Sequence, residues 1–206
     1  MAKKWDGEQK LVYENALKAK GYQYIAGVDE VGRGPLAGPV VCAAVIMPLS
    51  IEELVVGVDD SKKLSEKKRQ ELAEKIKEKA IAYSIVEIDE KAIDEMNILQ
   101  ATRLGMKRAI ETLSISPDVV LTDGNMTIDI TPPQTSVIHG DALSYSIGAA
   151  SIVAKVYRDK LMDEYAKDYP QYAFEKNKGY GTAEHIAGIK EHGLCPIHRK
   201  TFTKKF

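Results

Sequence analysis

Apolar positions along this chain switch between a helical and a strand period, and the switches mark out its elements. Leu11, Val12, Ala16 and Leu17 fall at helical spacing within 6–20, ahead of Gly21. Two strand-like runs follow, 24–29 and 37–47, and the glycine-rich link 30–36 is short enough to predict an antiparallel pair. After the polar loop 59–64, Ser65 is placed to cap a charged helix that runs to 79. A third strand is predicted at 80–88, then helices at 89–95 and 97–113. The run Val119-Val120-Leu121 ends in Thr122-Asp123-Gly124-Asn125, and a loop over 124–133 leads to a short strand at 134–138. A long helix at 143–167 opens with Ala and Ser, small enough to pack closely on a sheet, and Pro170 stops it. A helix at 182–192 and a basic tail complete the chain. Antiparallel strands first, then strands alternating with helices, predict one α/β domain over 1–206 with a mixed β-sheet flanked by helices. A small helical C-terminal extension covers 168–206.

The same pattern locates candidate chemistry. Three apolar runs end in a carboxylate beside glycine: Asp29-Glu30, Asp123-Gly124 and Gly140-Asp141. Strand ends on one side of an open α/β sheet converge where ligands bind. Four acidic groups gathered there repel one another unless a cation neutralises them. Oxygen ligands suit a hard divalent ion, magnesium or manganese, whereas zinc would call for His or Cys. His139 adjoins Asp141, and the other three histidines show no ligand-like pairing. Gly32-Arg33-Gly34 follows the first pair and leaves room for another backbone to approach, which suggests chemistry on a phosphate. The competing reading is an acidic turn that is merely solvated. Neighbouring side chains on a strand point to opposite faces, so Asp29 and Glu30 cannot both aim at one metal from regular β geometry. The backbone is therefore expected to leave the strand at Glu30, eased by Gly32.

Composition narrows the partners. The 206 residues carry a net charge of −1, which argues against nonspecific coating of DNA. Charge is uneven, however: 1–144 is at −5 and 145–206 at +4, so the C-terminal part can attract a polyanion. Two cysteines, Cys42 and Cys195, make neither a disulfide framework nor a zinc spacing. They read as small buried hydrophobes in a reduced, cytoplasmic compartment. The N-terminal stretch MAKKWDGEQK lacks the apolar region of a secretory signal, and no run is long enough to span a membrane. No dimerisation stripe stands out, so a monomer is expected.

Six blocks in order carry a family resemblance: GVDEVGRGPLAGPV at 27–40, DSKKLS at 60–65, TDGN at 122–125, GDALSYSIGAASIVAKVYRD at 140–159, KGYGT at 178–182 and PIHRKTF at 196–202. Together they resemble ribonuclease HII, the type 2 ribonuclease H. The resemblance implies an RNase H-like fold and a metal-dependent endonuclease that cuts the RNA strand of RNA–DNA hybrids. It also implies incision 5′ to a single ribonucleotide in duplex DNA, leaving 3′-hydroxyl and 5′-phosphate ends. The catalytic, metal-holding acids of that family fall on Asp29, Glu30, Asp123 and Asp141, where two divalent ions would clamp the scissile phosphate. Gly32, Arg33 and Gly34 correspond to a loop that senses the ribonucleotide 2′-hydroxyl, and Tyr180 to a tyrosine that reads the ribose at the RNA–DNA junction. Lys62 corresponds to a phosphate contact. Lys178, Arg199 and Lys200 are lesser candidates for backbone contacts. Lys155 and Arg158 are expected to anchor the fold, and Lys67, Lys68 and Arg69 to line a solvated helix face. Tyr157, Tyr165, Tyr169 and Tyr172 are expected to pack helices.

Four positions depart from the pattern: Asp59 where a basic residue is usual, His139 where lysine is common, Gly148 where alanine is common, and Asn177 where histidine is frequent. They bear on substrate affinity and metal preference, not on reaction class. The alternatives are ribonuclease HIII, whose fourth acid is commonly Glu and which has an extra N-terminal domain, a non-catalytic hybrid-binding module, and an acidic site that is only structural.

Overall fold

A computed structural model describes residues 5–205; Met1–Lys4, the start of the stretch read above for a signal, and Phe206 lie outside it. Two short helices, α1 (Gly7–Lys10) and α2 (Val12–Lys18), stand where one was predicted. Strands β1 (Ile25–Val31) and β2 (Val40–Ile46) form the antiparallel pair expected from their short link. Then come α3 (Glu66–Lys79), β3 (Ala82–Ile88), α4 (Glu90–Met96), α5 (Ile98–Glu111) and β4 (Val119–Asp123). The remaining elements are β5 (Gln134–Val137), α6 (Gly140–Leu143), α7 (Tyr145–Asp168), α8 (Phe174–Asn177), α9 (Ala183–His192) and α10 (Lys200–Thr203). Among the described residues no helix is long and apolar enough to cross a membrane.

The strands form one mixed sheet of five in the order β3-β2-β1-β4-β5. β2 pairs antiparallel with β1 and β3, while β4 runs parallel to both β1 and β5. Parallel pairing brings the C-terminal ends of β1, β4 and β5 to the same edge, so the acidic ends predicted from sequence become neighbours.

Alternation divides each strand between two cores. Val41, Ala43 and Val45 face α7 and α3, whereas Ala26, Val28, Cys42 and Ala44 face α5. α5 earns its place through a stripe, Ala101, Thr102, Gly105, Met106, Ala109 and Ile110, at helical spacing. Its N-cap Asn97, at φ 69°, accepts hydrogen bonds from Leu99 N and Gln100 N. Ser65 caps α3 as predicted, accepting from Lys68 N. α7 is buried along its first ten residues, 145–154, and lies so close to β1 that a β-carbon on Gly27 would stand 2.1 Å from the carbonyl carbon of Ser146. Small residues at its start serve the close packing their composition suggested.

Several boundaries differ from expectation. β1 does not end before Glu30 but keeps its ladder to Val31, paired with Val41. Asp141 is not at a strand end; it sits on the helical turn α6, just before Ser144 caps α7. Leu11 interrupts the first helix, and Val12 is 59% exposed rather than part of the apolar stripe.

The sheet–helix contact at Gly27 makes a direct prediction. Gly27→Ala should cost about 3 kcal/mol of stability, because the obstacle is backbone that no rotamer change can move. Urea denaturation of the two proteins checks it, and equal midpoints would contradict this packing.

Candidate active site at the sheet edge

Asp29 and Asp123 occupy equivalent positions on adjacent parallel strands, one residue beyond the Val28–Thr122 pair. They therefore share the α7 face. A backbone hydrogen bond from Gly140 N to Asp123 Oδ1, 2.6 Å, ties the α6 turn to the end of β4 and brings Asp141 beside it. Asp29 is buried, accepts from Glu30 N at 2.8 Å and is also hydrogen-bonded by Ser151 of α7.

Glu30 behaves differently from the expectation. Because the strand continues through it, Glu30 leaves β1 on the α5 face, opposite Asp29 and beside Cys42. Its carboxylate is not sealed there: the side chain stays 15% exposed, and Arg33 Nη1 lies 3.4 Å from Oε1. It still feels the charge of Asp123 across the strand end.

Electrostatics expose the cost of this gathering. Burial, reinforced by Glu30 and Asp123, holds the Asp29 carboxyl well above the usual carboxylate range. Burial also raises Glu30, with Asp123 adding to it and Arg33 opposing. Asp141 is raised by burial, then by Asp123 and Asp60, against Lys62. Asp123 is the acid common to all three. Among the described residues no three His, Cys, Asp or Glu side chains stand together as a ready-formed metal cluster. The donors nonetheless suit a hard divalent ion: they are all carboxylate oxygens, and the mutual repulsion that adds to burial in raising their pKa values is what a cation would relieve.

The candidate substrate residues fall in two groups, Lys62 beside Asp141 and the loop 32–34 beside Tyr180. Lys62 lies on a helical turn, Ser61–Lys63, with its Nζ 3.5 Å from Asp141 Oδ2 and its side chain 80% exposed. Burial works against its charge, but Asp141, Asp60 and Asp29 outweigh that and raise its pKa. Gly32 adopts φ 92°, the left-handed region that favours glycine, and a β-carbon there would strike Arg158 Nε at 2.2 Å. A β-carbon on Gly34 would stand 3.6 Å from Tyr180 Cε1, so the Tyr180 ring, 44% exposed, flanks the loop.

What holds that loop was misread from sequence. Arg199 does not face solvent or a nucleic-acid backbone; it is fully buried. Its guanidinium donates to Gly32 O at 2.6 Å, Arg33 O at 2.9 Å and Gly38 O at 2.7 and 2.9 Å. Burial, helped by the charge of Arg158, pushes its pKa down to about 9. Arg158 anchors the fold as expected, donating to Pro39 O, Ala37 O and Lys178 O. Lys178 pairs with Asp163, and the backbone N–H of Lys200 donates to Asp94 at 2.8 Å. Arg69 is half-buried, not solvated: it donates to Ser61 O and Leu64 O, holding the turn that carries Lys62.

Other residues escaped the sequence reading. Asp60, next to Ser61 in the DSKKLS block, faces Asp141 and Lys62. Of the four departures, Asp59 pairs with Lys10 at 2.7 Å and Asn177 locks its own turn through Tyr172 O and Gly179 N. His139 takes a left-handed φ of 58° ahead of α6. An added β-carbon on Gly148 would lie 3.0 Å from Asp141 O, so this glycine gives the Asp141 turn room. Tyr172 is buried with Tyr165 and Tyr169 packed around it, but Tyr157 is partly exposed and donates to Glu87 at 2.6 Å. His185 and His198 are hydrogen-bonded to each other, 3.0 Å apart, a pairing with no sign in the sequence. Both cysteines are buried and free.

Because folding raises the pKa of Asp29, its charge costs stability at every pH above the ordinary value of 3.8, and less as pH falls toward it. In chelator at neutral pH, Asp29→Asn should therefore be more stable than the parent by on the order of 1 kcal/mol. The gain should shrink on acidification. Thermal melts across pH check this, and a less stable variant at pH 7 would contradict it.

Known proteins resemble this chain in sequence and fold. The family model for ribonuclease HII matches residues 26–205. Ribonuclease HII of Ligilactobacillus salivarius is 57% identical over 200 residues, spanning 94% of this chain and 77% of that protein. Ribonuclease H2 from Pyrococcus horikoshii OT3 superposes with a TM-score of 0.75 at 25% identity, over 88% of this chain and 96% of that one. A Mn2+ complex of Bst-RNase HIII superposes at 0.65 and 20% identity, over 82% of this chain and 63% of that one, a likeness of fold. With the matched segment running from β1 through α10, this chain belongs to the ribonuclease HII family.

Proposed function

We propose that this chain, a ribonuclease H of the family that cleaves RNA in RNA–DNA hybrids, also incises 5′ to single ribonucleotides embedded in duplex DNA. The observation that carries the reading is the electrostatic convergence of Asp29, Glu30 and Asp141 on Asp123 at one sheet edge, beside an exposed tyrosine and a glycine-lined loop.

In this reading Asp29, Asp123 and Asp141 hold divalent metal from the α7 face, and Glu30 reaches it around the strand end. When bound, a pair of Mg2+ or Mn2+ ions would lower the pKa of the attacking water and stabilise the leaving 3′-oxygen. Lys62 holds a substrate phosphate as a point charge. Gly32, Arg33 and Gly34 approach the ribose from one side, and Tyr180 lies against it from the other. Contact with the 2′-hydroxyl is what separates RNA from DNA at one position. Cleavage would leave 3′-hydroxyl and 5′-phosphate ends.

We further read 1–206 as one catalytic domain, with 168–206 as its substrate-binding extension, acting as a monomer. Two buried free thiols support a cytoplasmic setting. All four acids are present, which disfavours a binding-only module.

End-labelled duplex DNA with one ribonucleotide, incubated with Mg2+, Mn2+ or chelator, tests the proposal. Metal-dependent incision immediately 5′ to the ribonucleotide is expected, with the all-DNA control intact. Asp123→Asn should reduce it by at least about 100-fold without unfolding the protein. Equal cutting of the all-DNA duplex would overturn the selectivity, and near-normal turnover by Asp123→Asn would overturn the metal assignment.

A further inference from the structure

Both arms of the proposed ribonucleotide reader lead back to one short segment. Ala37 makes a β-bridge to His198, Gly38 N donates to Ile197 O at 2.8 Å and Arg199 N donates to Leu36 O at 2.8 Å, so Cys195–Arg199 lies along the loop that follows β1. Arg199 then turns the carbonyls of Gly32 and Arg33 inward. Among the described residues neither Arg33 N nor Gly34 N has a hydrogen-bond partner, which leaves these donors for a ligand.

His198 leads to the other arm. His185 Nδ1 lies 2.9 Å from Tyr180 O, and a carbonyl only accepts, so Nδ1 carries the proton. His185 Nε2 is then bare and must accept from His198 Nε2, 3.0 Å away. That leaves His198 Nδ1 bare, where the Cys195 N–H donates at 2.9 Å. A fixed donor at one end and a fixed acceptor at the other make the chain one-way: Cys195 to His198 to His185 to Tyr180. Tyr172 and Phe174 hold the rings, with Tyr172 edge-on to His198 at 4.8 Å and Phe174 edge-on to His185 at 5.2 Å.

We propose that Cys195–Arg199 is a positioning brace that sets the distance between the loop 32–34 and Tyr180, Arg199 fixing the loop carbonyls and the His198–His185 pair fixing the carbonyl of Tyr180. His185, His198 and Arg199 are positioning residues; none touches substrate. The brace rests on the reading that this loop and Tyr180 flank the ribonucleotide. It explains why His185 of α9 and His198 and Arg199 of the basic tail are buried where no catalytic step needs them.

Two conservative variants separate the links. Glutamine places its amide near the position of Nε2, so His185→Gln keeps the His198 bond and loses the Tyr180 tether. Asparagine places its amide near Nδ1, so His185→Asn keeps the tether. On duplex DNA with one ribonucleotide, His185→Gln should raise KM by about tenfold, the equivalent of one hydrogen bond, with melting temperature and kcat little changed. His185→Asn should raise it less. In a Tyr180→Ala background, His185→Gln should have no further effect. An undiminished effect there, or a folded His185→Gln with the parental KM, would overturn the brace alone. A parental KM for Tyr180→Ala would instead sink the reading of Tyr180, and the brace with it. If His185→Gln does not fold, nitrogen NMR of the histidines in the unaltered protein decides: Nδ1–H on His185 with Nε2–H on His198 is expected, and the opposite tautomers would overturn the proposal.

Discussion

Repulsion between like charges at one sheet edge is the constraint around which the rest of this molecule is arranged. Parallel pairing of β1 with β4 sets Asp29 beside Asp123, and the Gly140 N–Asp123 bond adds Asp141. Among the described residues the ion pairs made at this edge are Lys62 with Asp141 and Arg33 with Glu30. The protein tolerates the resulting strain because the surrounding packing is tight. α7 is pressed on β1 at Gly27, and its N-terminus is fixed by Glu14, whose Oε1 accepts from Ser144 and Ser146. Stability held elsewhere thus maintains an unfavourable arrangement where the chemistry is proposed to occur.

A second electrostatic device stands beside the first. Arg158 and Arg199 are buried with no carboxylate within ion-pair distance among the described residues, and backbone carbonyls solvate them instead. Each guanidinium bonds several carbonyls of the glycine-rich loop, so the loop's conformation is determined by side chains distant in sequence. Acid at the sheet edge and carbonyl-solvated arginine behind the loop together create the proposed site, with carboxylate oxygens on one side and backbone N–H donors on the other.

The antiparallel β1–β2 pair, the mixed character of the sheet and the run of acids at strand ends were legible because they follow from local pattern: apolar runs, a short link, and a carboxylate beside glycine; the strand order β3-β2-β1-β4-β5 was not. Glu30 shows where pattern fails. Its face depends on whether the ladder stops at Asp29 or at Val31, and pairing with Val41 settles that in favour of a continued strand. Arg199 and the histidine pair show a different limit. In sequence His198 and Arg199 belong to a basic tail and His185 to the helix before it, and only tertiary packing buries them, for Arg199 against residues up to 167 positions away. Asp60 was hidden for a similar reason, because its neighbour Asp141 lies far along the chain. Asp141 was placed on the wrong element, since four residues of helix before a capped longer helix carry no strong periodic signal.

Calorimetric titration of the chelated protein with Mn2+ alone tests most directly whether this acidic edge exists to hold divalent metal. Saturable binding is expected, weakened strongly by Asp123→Asn because that acid adds to the repulsion on each of Asp29, Glu30 and Asp141. Absence of binding, or binding unchanged in Asp123→Asn, would contradict it.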